Sequence, residues 1–187
     1  MSKEKDIRFY KTKERIIKAM IQLLEEKNFE QITVKDICKS AEVSRSGFYL
    51  HYLDKYDLVE KYQLEIMEHI NNILRNISQT HITKEMLMLY MLNYLTNEGK
   101  LLALLISEHG SPEVQNQVKD IVKKNALENT LSHLNIEIET ELEKKYFLAF
   151  FSNALFGVLQ EWISSGQKES PEYLVKTLNK IINFDLI

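Results

Sequence analysis

The sequence predicts an all-α protein of about nine helices, a small helix-turn-helix unit at the front followed by a larger helical bundle. Three observations carry that prediction. Glycine (5) and proline (2) are scarce in 187 residues, and sheets joined by tight turns need far more of both. Apolar residues recur three to four positions apart through most of the chain, the period of a helix and not of a strand. Helix-capping residues such as Thr33, Ser44, Asp54, Ser111 and Ser170 stand just ahead of these periodic runs.

Taken in order, Ile16, Ile17, Met20, Leu23 and Leu24 mark one face of a first helix expected over about 12–27. Asn28 is expected to close it in the left-handed region, which a short polar side chain tolerates. Thr33, with Asp36 three residues on, reads as the cap of a short second helix. Ser44 caps a third, expected over 45–52. Asp54, with Asp57, caps a fourth whose apolar period continues to about residue 78. Thr83 opens a very apolar segment over 86–95, Gly99 interrupts it, and 101–106 resumes. Gly110-Ser111-Pro112 is a stop followed by a start, with proline at the first helical position. The stretch 113–134 is polar with a sparse apolar stripe and predicts a surface helix. Between 141 and 165 the apolar residues cover more than half the circumference, so a single neighbour cannot hide them and a second surface must meet that helix. Gly166 ends it, and Ser170-Pro171 starts a last helix with a stripe of Leu174, Leu178, Ile181 and Ile182.

A content of 44% hydrophobic and 27% charged residues belongs to a globular chain. Cys38 is the single cysteine, so an intramolecular disulfide and a cysteine-based zinc site are excluded. The charged start and a longest apolar run of only 86–92 predict a cytoplasmic protein without signal peptide or membrane span. Net charge is −3, distributed as +2 over 1–57 and −5 over 58–187, which suits a polyanion at the front end. These two stretches are the expected domains. Glu68-His69 and Glu108-His109 are adjacent pairs that do not face each other on a helix. No metal, phosphate-loop or nucleophile motif occurs. The expectation is a protein that is not an enzyme, with no catalytic residue, cofactor or metal.

The two short helices at 33–52 are separated by a turn and carry small or apolar residues at Ile37, Cys38, Ala41, Val43 and Phe48, the pattern of a helix-turn-helix. Cys38 falls where the helices cross, Val43 plugs the turn and Phe48 pins the second helix to the core. This leaves Ser44, Arg45, Ser46, Gly47, Tyr49 and His51 on the outer side, able to enter a major groove ~12 Å wide.

The run Thr33-Val34-x-Asp36-Ile37-Cys38-x-x-Ala41-x-Val43-Ser44-Arg45-x-x-Phe48-Tyr49-x-His51-Tyr52-x-Asp54-Lys55-x-x-Leu58 resembles, without a gap, the DNA-binding signature of the TetR/AcrR transcriptional regulators. About 45 residues are covered. Glu42 stands where that family usually has glycine, and Cys38 where it usually has alanine. The resemblance implies that Thr33, Tyr49 and Lys55 touch phosphates and that Arg45, Ser46, Gly47 and His51 reach base edges. It also implies a double-stranded operator as partner and a ligand-responsive repressor as function.

The segment from Phe150 to Pro171, with Gly157, Trp162, Ile163 and Gly166, is similar to a C-terminal subtype of regulators from low-GC Gram-positive bacteria. That similarity implies a homodimer joined through the last two helices, with Phe150, Gly157, Trp162, Leu174, Leu178 and Ile181 at the interface. It agrees with the over-wide apolar surface of the helix at 141–165. Met91, Tyr94, Phe147 and Phe151 are either plain core or the lining of a pocket for a small hydrophobic effector. A second reading of the rear domain has no pocket and docks a protein partner, as an activator would.

Overall fold

Helix boundaries fall mostly where side chains satisfy the backbone groups that helix ends leave unpaired. The computed structural model describes residues 3–77, 84–126 and 138–182. Among the described residues there are nine α-helices and no strand. They are α1 (Lys3–Glu26), α2 (Val34–Ala41), α3 (Arg45–Tyr49), α4 (Lys55–Ile77), α5 (Lys84–Asn97), α6 (Lys100–Ile106), α7 (Pro112–Asn125), α8 (Glu141–Ser164) and α9 (Pro171–Ile182), with a 3-10 turn at Phe29–Gln31. The expected cap Thr83 and the expected continuation of a surface helix over 127–134 lie outside the described residues.

The expected caps Thr33, Ser44 and Ser111 each accept a backbone N–H of the following first turn. Asp54 Oδ1 does the same for α4, accepting from the N–H groups of Tyr56 and Asp57 at 2.8 Å. Thr140 and Glu143 form a reciprocal capping box at α8 that the sequence reading passed over.

Three local expectations are corrected. α1 starts at Lys3 and not near residue 12, because Lys, Glu and Arg favour helix without contributing to the apolar period that located the element. α3 ends at Tyr49 and passes through a turn before Tyr52. Asn28 is extended (φ −64°, ψ 147°) and precedes the 3-10 turn instead of closing α1 in the left-handed region. Its carbonyl accepts the N–H of Gln31 at 3.0 Å.

The chain divides into two compact units, Met1–Leu104 with Glu169–Ile187, and Leu105–Lys168. This division differs from a boundary at 57/58, which falls inside the first turn of α4. In the first unit α1 packs on α2 and α5 packs on α9. Its core contains Ile16, Met20, Phe29, Ile37, Phe48 and Leu58, all fully buried. Tyr94 of α5 bonds to Tyr62 of α4 and lies against Gly99, where an added Cβ would come within 2.7 Å of the Tyr94 ring. Lys100 at the start of α6 pairs with Glu25 of α1 at 2.6 Å. In the second unit α7 packs on α8 around Val114, Leu148, Phe156 and Trp162. No described helix is long and apolar enough to cross a membrane.

Candidate nucleic-acid interface

The helix-turn-helix is held at each joint by a specific contact. At the start of α2 the Thr33 hydroxyl accepts the Asp36 N–H at 3.2 Å, and Asp36 Oδ2 accepts both the Thr33 N–H at 3.0 Å and its hydroxyl at 2.8 Å. These two bonds from Thr33, with a further contribution from Lys27, lower the Asp36 carboxyl to about 2. The Thr33 hydroxyl hydrogen is therefore directed to a carboxylate.

The turn itself passes through Glu42 at φ 51° and ψ 44°, a left-handed conformation in which glycine carries no side-chain penalty. Two contacts from α1 offset the cost: Arg15 Nη2 donates to the Glu42 carbonyl at 2.9 Å and to its carboxylate at 3.0 Å. The same pairing counters the negative charge that glutamate brings to this face. Val43 donates its N–H to the Cys38 carbonyl at 3.0 Å. Cys38 is buried at the crossing, and that burial pushes its thiol pKa up.

Ser44 Oγ accepts the Gly47 N–H at 3.0 Å and lies 3.0 Å from Ser46 Oγ. A helix advances about 100° per residue, so Arg45, Tyr49, Ser46 and Leu50 occupy one arc of about 140°. All four are exposed. The opposite side of the same turn carries Phe48 and Tyr52, both buried, with Gly47 and His51. Arg45, Ser46 and Tyr49 thus stand where a reading face was expected. Leu50 joins them, at 78% exposure, and the sequence reading missed it. A helical projection through residue 50 contains the signal.

Two expected contacts turn inward. His51 stacks on Phe9 of α1, with ring centroids 4.0 Å apart, and its buried Nδ1 has no hydrogen-bond partner. Burial, with Lys13 and Lys61 nearby, pushes its pKa down. Lys55 is only 8% exposed. Its Nζ donates to the carbonyls of Phe29 at 2.9 Å and Glu30 at 3.0 Å, and sits 4.6 Å from the Phe29 ring centroid. An ammonium so held ties α4 to the turn before α2. Lys35 and Lys39, one turn apart on α2, are exposed alongside Arg45.

The residues expected at a dimer interface separate into two groups. Phe150 and Ile181 are exposed, at 63% and 58%. Gly157 is exposed with nothing within 4 Å of where a Cβ would stand. Trp162, Leu174 and Leu178 are instead buried within the chain. That burial has a physical reason: α9 uses its apolar stripe against α5, and Trp162 belongs to the core of the α7–α8 unit. On α8 the exposed large apolar residues are Leu142, Tyr146 and Phe150, each one turn from the next.

Of the four expected pocket residues, Met91 and Tyr94 are half-buried on α5 in one unit. Phe147 and Phe151 stack on α8 in the other, with centroids 5.7 Å apart. A shallow groove of about 620 Å³ runs between α5 and α9, lined by Glu85, Met86, Leu89, Glu172, Val175, Lys176, Asn179 and Lys180, and by none of those four. No group of three potential metal ligands occurs among the described residues.

Comparison with known proteins supplies the family. Residues 84–184 match the transcriptional regulator C-terminal region, and residues 16–62 match the bacterial regulatory proteins of the tetR family. The chain is 28% identical over 180 residues to the uncharacterised HTH-type transcriptional regulator YxbF of Bacillus subtilis (strain 168), covering 93% of this chain and 45% of that protein. It thus spans less than half the length of this relative. It is 22% identical over 157 residues to IcaR of Staphylococcus aureus (strain Newman), the HTH-type negative transcriptional regulator of the biofilm operon icaADBC, covering 80% and 81% of the two chains. A TetR transcriptional regulator from Streptococcus agalactiae 2603V has the same fold, with a TM-score of 0.69, 24% identity, and coverage of 97% and 99%.

Proposed function

We propose that this chain, which belongs to the TetR family of bacterial regulatory proteins, is a cytoplasmic transcriptional repressor that binds a palindromic operator as a homodimer. The observation that carries the reading is the exposed strip of Arg45, Ser46, Tyr49 and Leu50 on α3, presented by a capped and buried helix-turn-helix. A short helix with its outer strip clear of the protein matches the width of the major groove, ~12 Å. Exposed Lys35 and Lys39 on α2 add positive charge, which phosphate contacts require.

The likeness to a negative regulator supports repression over activation through a docked protein partner. A homodimer is supported by the apolar row Leu142, Tyr146 and Phe150 on α8, which the chain itself leaves exposed. The effector is a small hydrophobic molecule in this reading, supported by the half-buried Met91 and Tyr94 of α5. To relieve repression it must bind the arrangement that cannot hold DNA more tightly than the one that can. The reading calls on no catalytic group.

The test is selection of bound fragments from a random duplex pool by the full chain, with sedimentation of the free and bound protein. An imperfect palindrome with half-site centres about one helical turn apart, or a small multiple of it, is the expected outcome, together with a dimer at micromolar concentration. Failure to enrich any sequence overturns the DNA-binding reading. A monomer at that concentration overturns the homodimer.

A further inference from the structure

We propose that Leu50 is a specificity-determining residue that reads the 5-methyl group of a thymine in each operator half-site. The inference deepens the DNA-binding reading and rests on it. Leu50 continues the helical turn after α3, with φ −72° and ψ −20°, and its N–H donates to the Ser46 carbonyl at 3.2 Å. Its side chain therefore lies one turn beyond Ser46 on the same strip as Arg45 and Tyr49. At 78% exposure it takes almost no part in the core, which is sealed on that turn by Phe48 and Tyr52.

A lone exposed leucine is ordinary on a protein surface. Leu50 differs in its setting, since it stands on the recognition strip with Tyr49 beside it at 54% exposure. The major groove offers one apolar group to such a side chain, the methyl of thymine; its other features are hydrogen-bond donors and acceptors. Leucine has neither donor nor acceptor to offer them, so van der Waals contact with that methyl is the recognition it can make. His51, the neighbouring residue that the sequence pattern favours as a reader, is stacked on Phe9. That places the last reading position of the helix at Leu50. It stands five positions after Arg45, about 7.5 Å along a helix axis. The thymine is therefore expected within a few base pairs of the base that Arg45 reads.

The experiment uses the full chain and the operator selected from the random pool. Each thymine is replaced in turn by deoxyuridine, which removes the methyl and leaves the base-pair hydrogen bonds intact. For the wild-type protein, one thymine per half-site is expected to lose about fourfold in affinity on this change, the factor for one buried methyl group. Leu50→Ala is expected to bind the thymine operator more weakly and to treat thymine and deoxyuridine alike at that position. Leu50→Met is expected to keep the discrimination. Wild-type indifference to every deoxyuridine, or an undiminished methyl preference in Leu50→Ala, overturns the role of Leu50 while leaving DNA binding intact. If the pool yields no enriched sequence, the DNA-binding reading fails and this inference fails with it.

Discussion

Lys55 holds its ammonium against two backbone carbonyls, those of Phe29 and Glu30, and its removal leaves both without that donor. Lys55→Ala is expected to lower stability by about 2 to 3 kcal/mol, the range for losing buried bonds to a charged group, measured by denaturant unfolding. The slope of log affinity against log salt is expected to stay at its wild-type value, since the ammonium is held by the two carbonyls. A flattened slope with unchanged stability is the outcome that reverses this assignment. Asp36 makes a second case at the same scale. Its carboxyl lies at about 2, below the ordinary 3.8, chiefly through the Thr33 hydroxyl, then the Thr33 N–H and Lys27. A depressed carboxylate contributes stability in full above its unfolded value and loses it as the pH falls through the folded one, here from about 4 down to about 2. Thr33→Val is expected to raise the Asp36 pKa toward 3.8 in a carbon-detected NMR titration. No movement would mean that Lys27, and not the cap, sets the value.

At the scale of the element, the end of α2 joins a left-handed residue to a cross-helix clamp. Glycine at position 42 would relieve the backbone cost of about 1 kcal/mol. It would keep the carbonyl that Arg15 reaches at 2.9 Å and give up the bond to the carboxylate at 3.0 Å. An exposed ion pair of this kind contributes about 0 to 1 kcal/mol. Glu42→Gly is thus expected to be stabilising by a few tenths up to about 1 kcal/mol, read as a higher denaturation midpoint with unchanged slope. Net destabilisation would show that the Arg15 clamp outweighs the strain. The helix starts and stops of this region were legible in single residues such as Thr33, Ser44 and Asp54, because a cap is a local bond between neighbours in sequence. The early start of α1 was not, since its first turns make no apolar pattern to read.

For the molecule as a whole the proposed homodimer turns on the exposed side of α8. Gly157 has nothing of its own chain within 4 Å of a prospective Cβ, so a larger side chain fits the protomer without displacing anything. Gly157→Arg is therefore expected to leave the far-ultraviolet circular dichroism and thermal midpoint of the isolated protomer nearly unchanged. In sedimentation it is expected to shift the dimer to monomer and to weaken operator binding. A variant that remains dimeric at micromolar concentration places the interface away from Gly157.

The all-α class, the helix-turn-helix and most helix boundaries followed from the sequence alone, because period, caps and Gly-Pro punctuation act over a few residues. Arg45, Ser46 and Tyr49 were found in the same way, as outward positions of one short helix. Which polar side chains face inward was decided only by tertiary structure. Lys55 turned to carbonyls about 25 residues earlier in the chain, and His51 to Phe9 of α1. Leu174 and Leu178 went to the packing of α9 on α5. In each case the partner lies far away in sequence, so no local spacing encodes the contact, and burial is set by the element that happens to pack there.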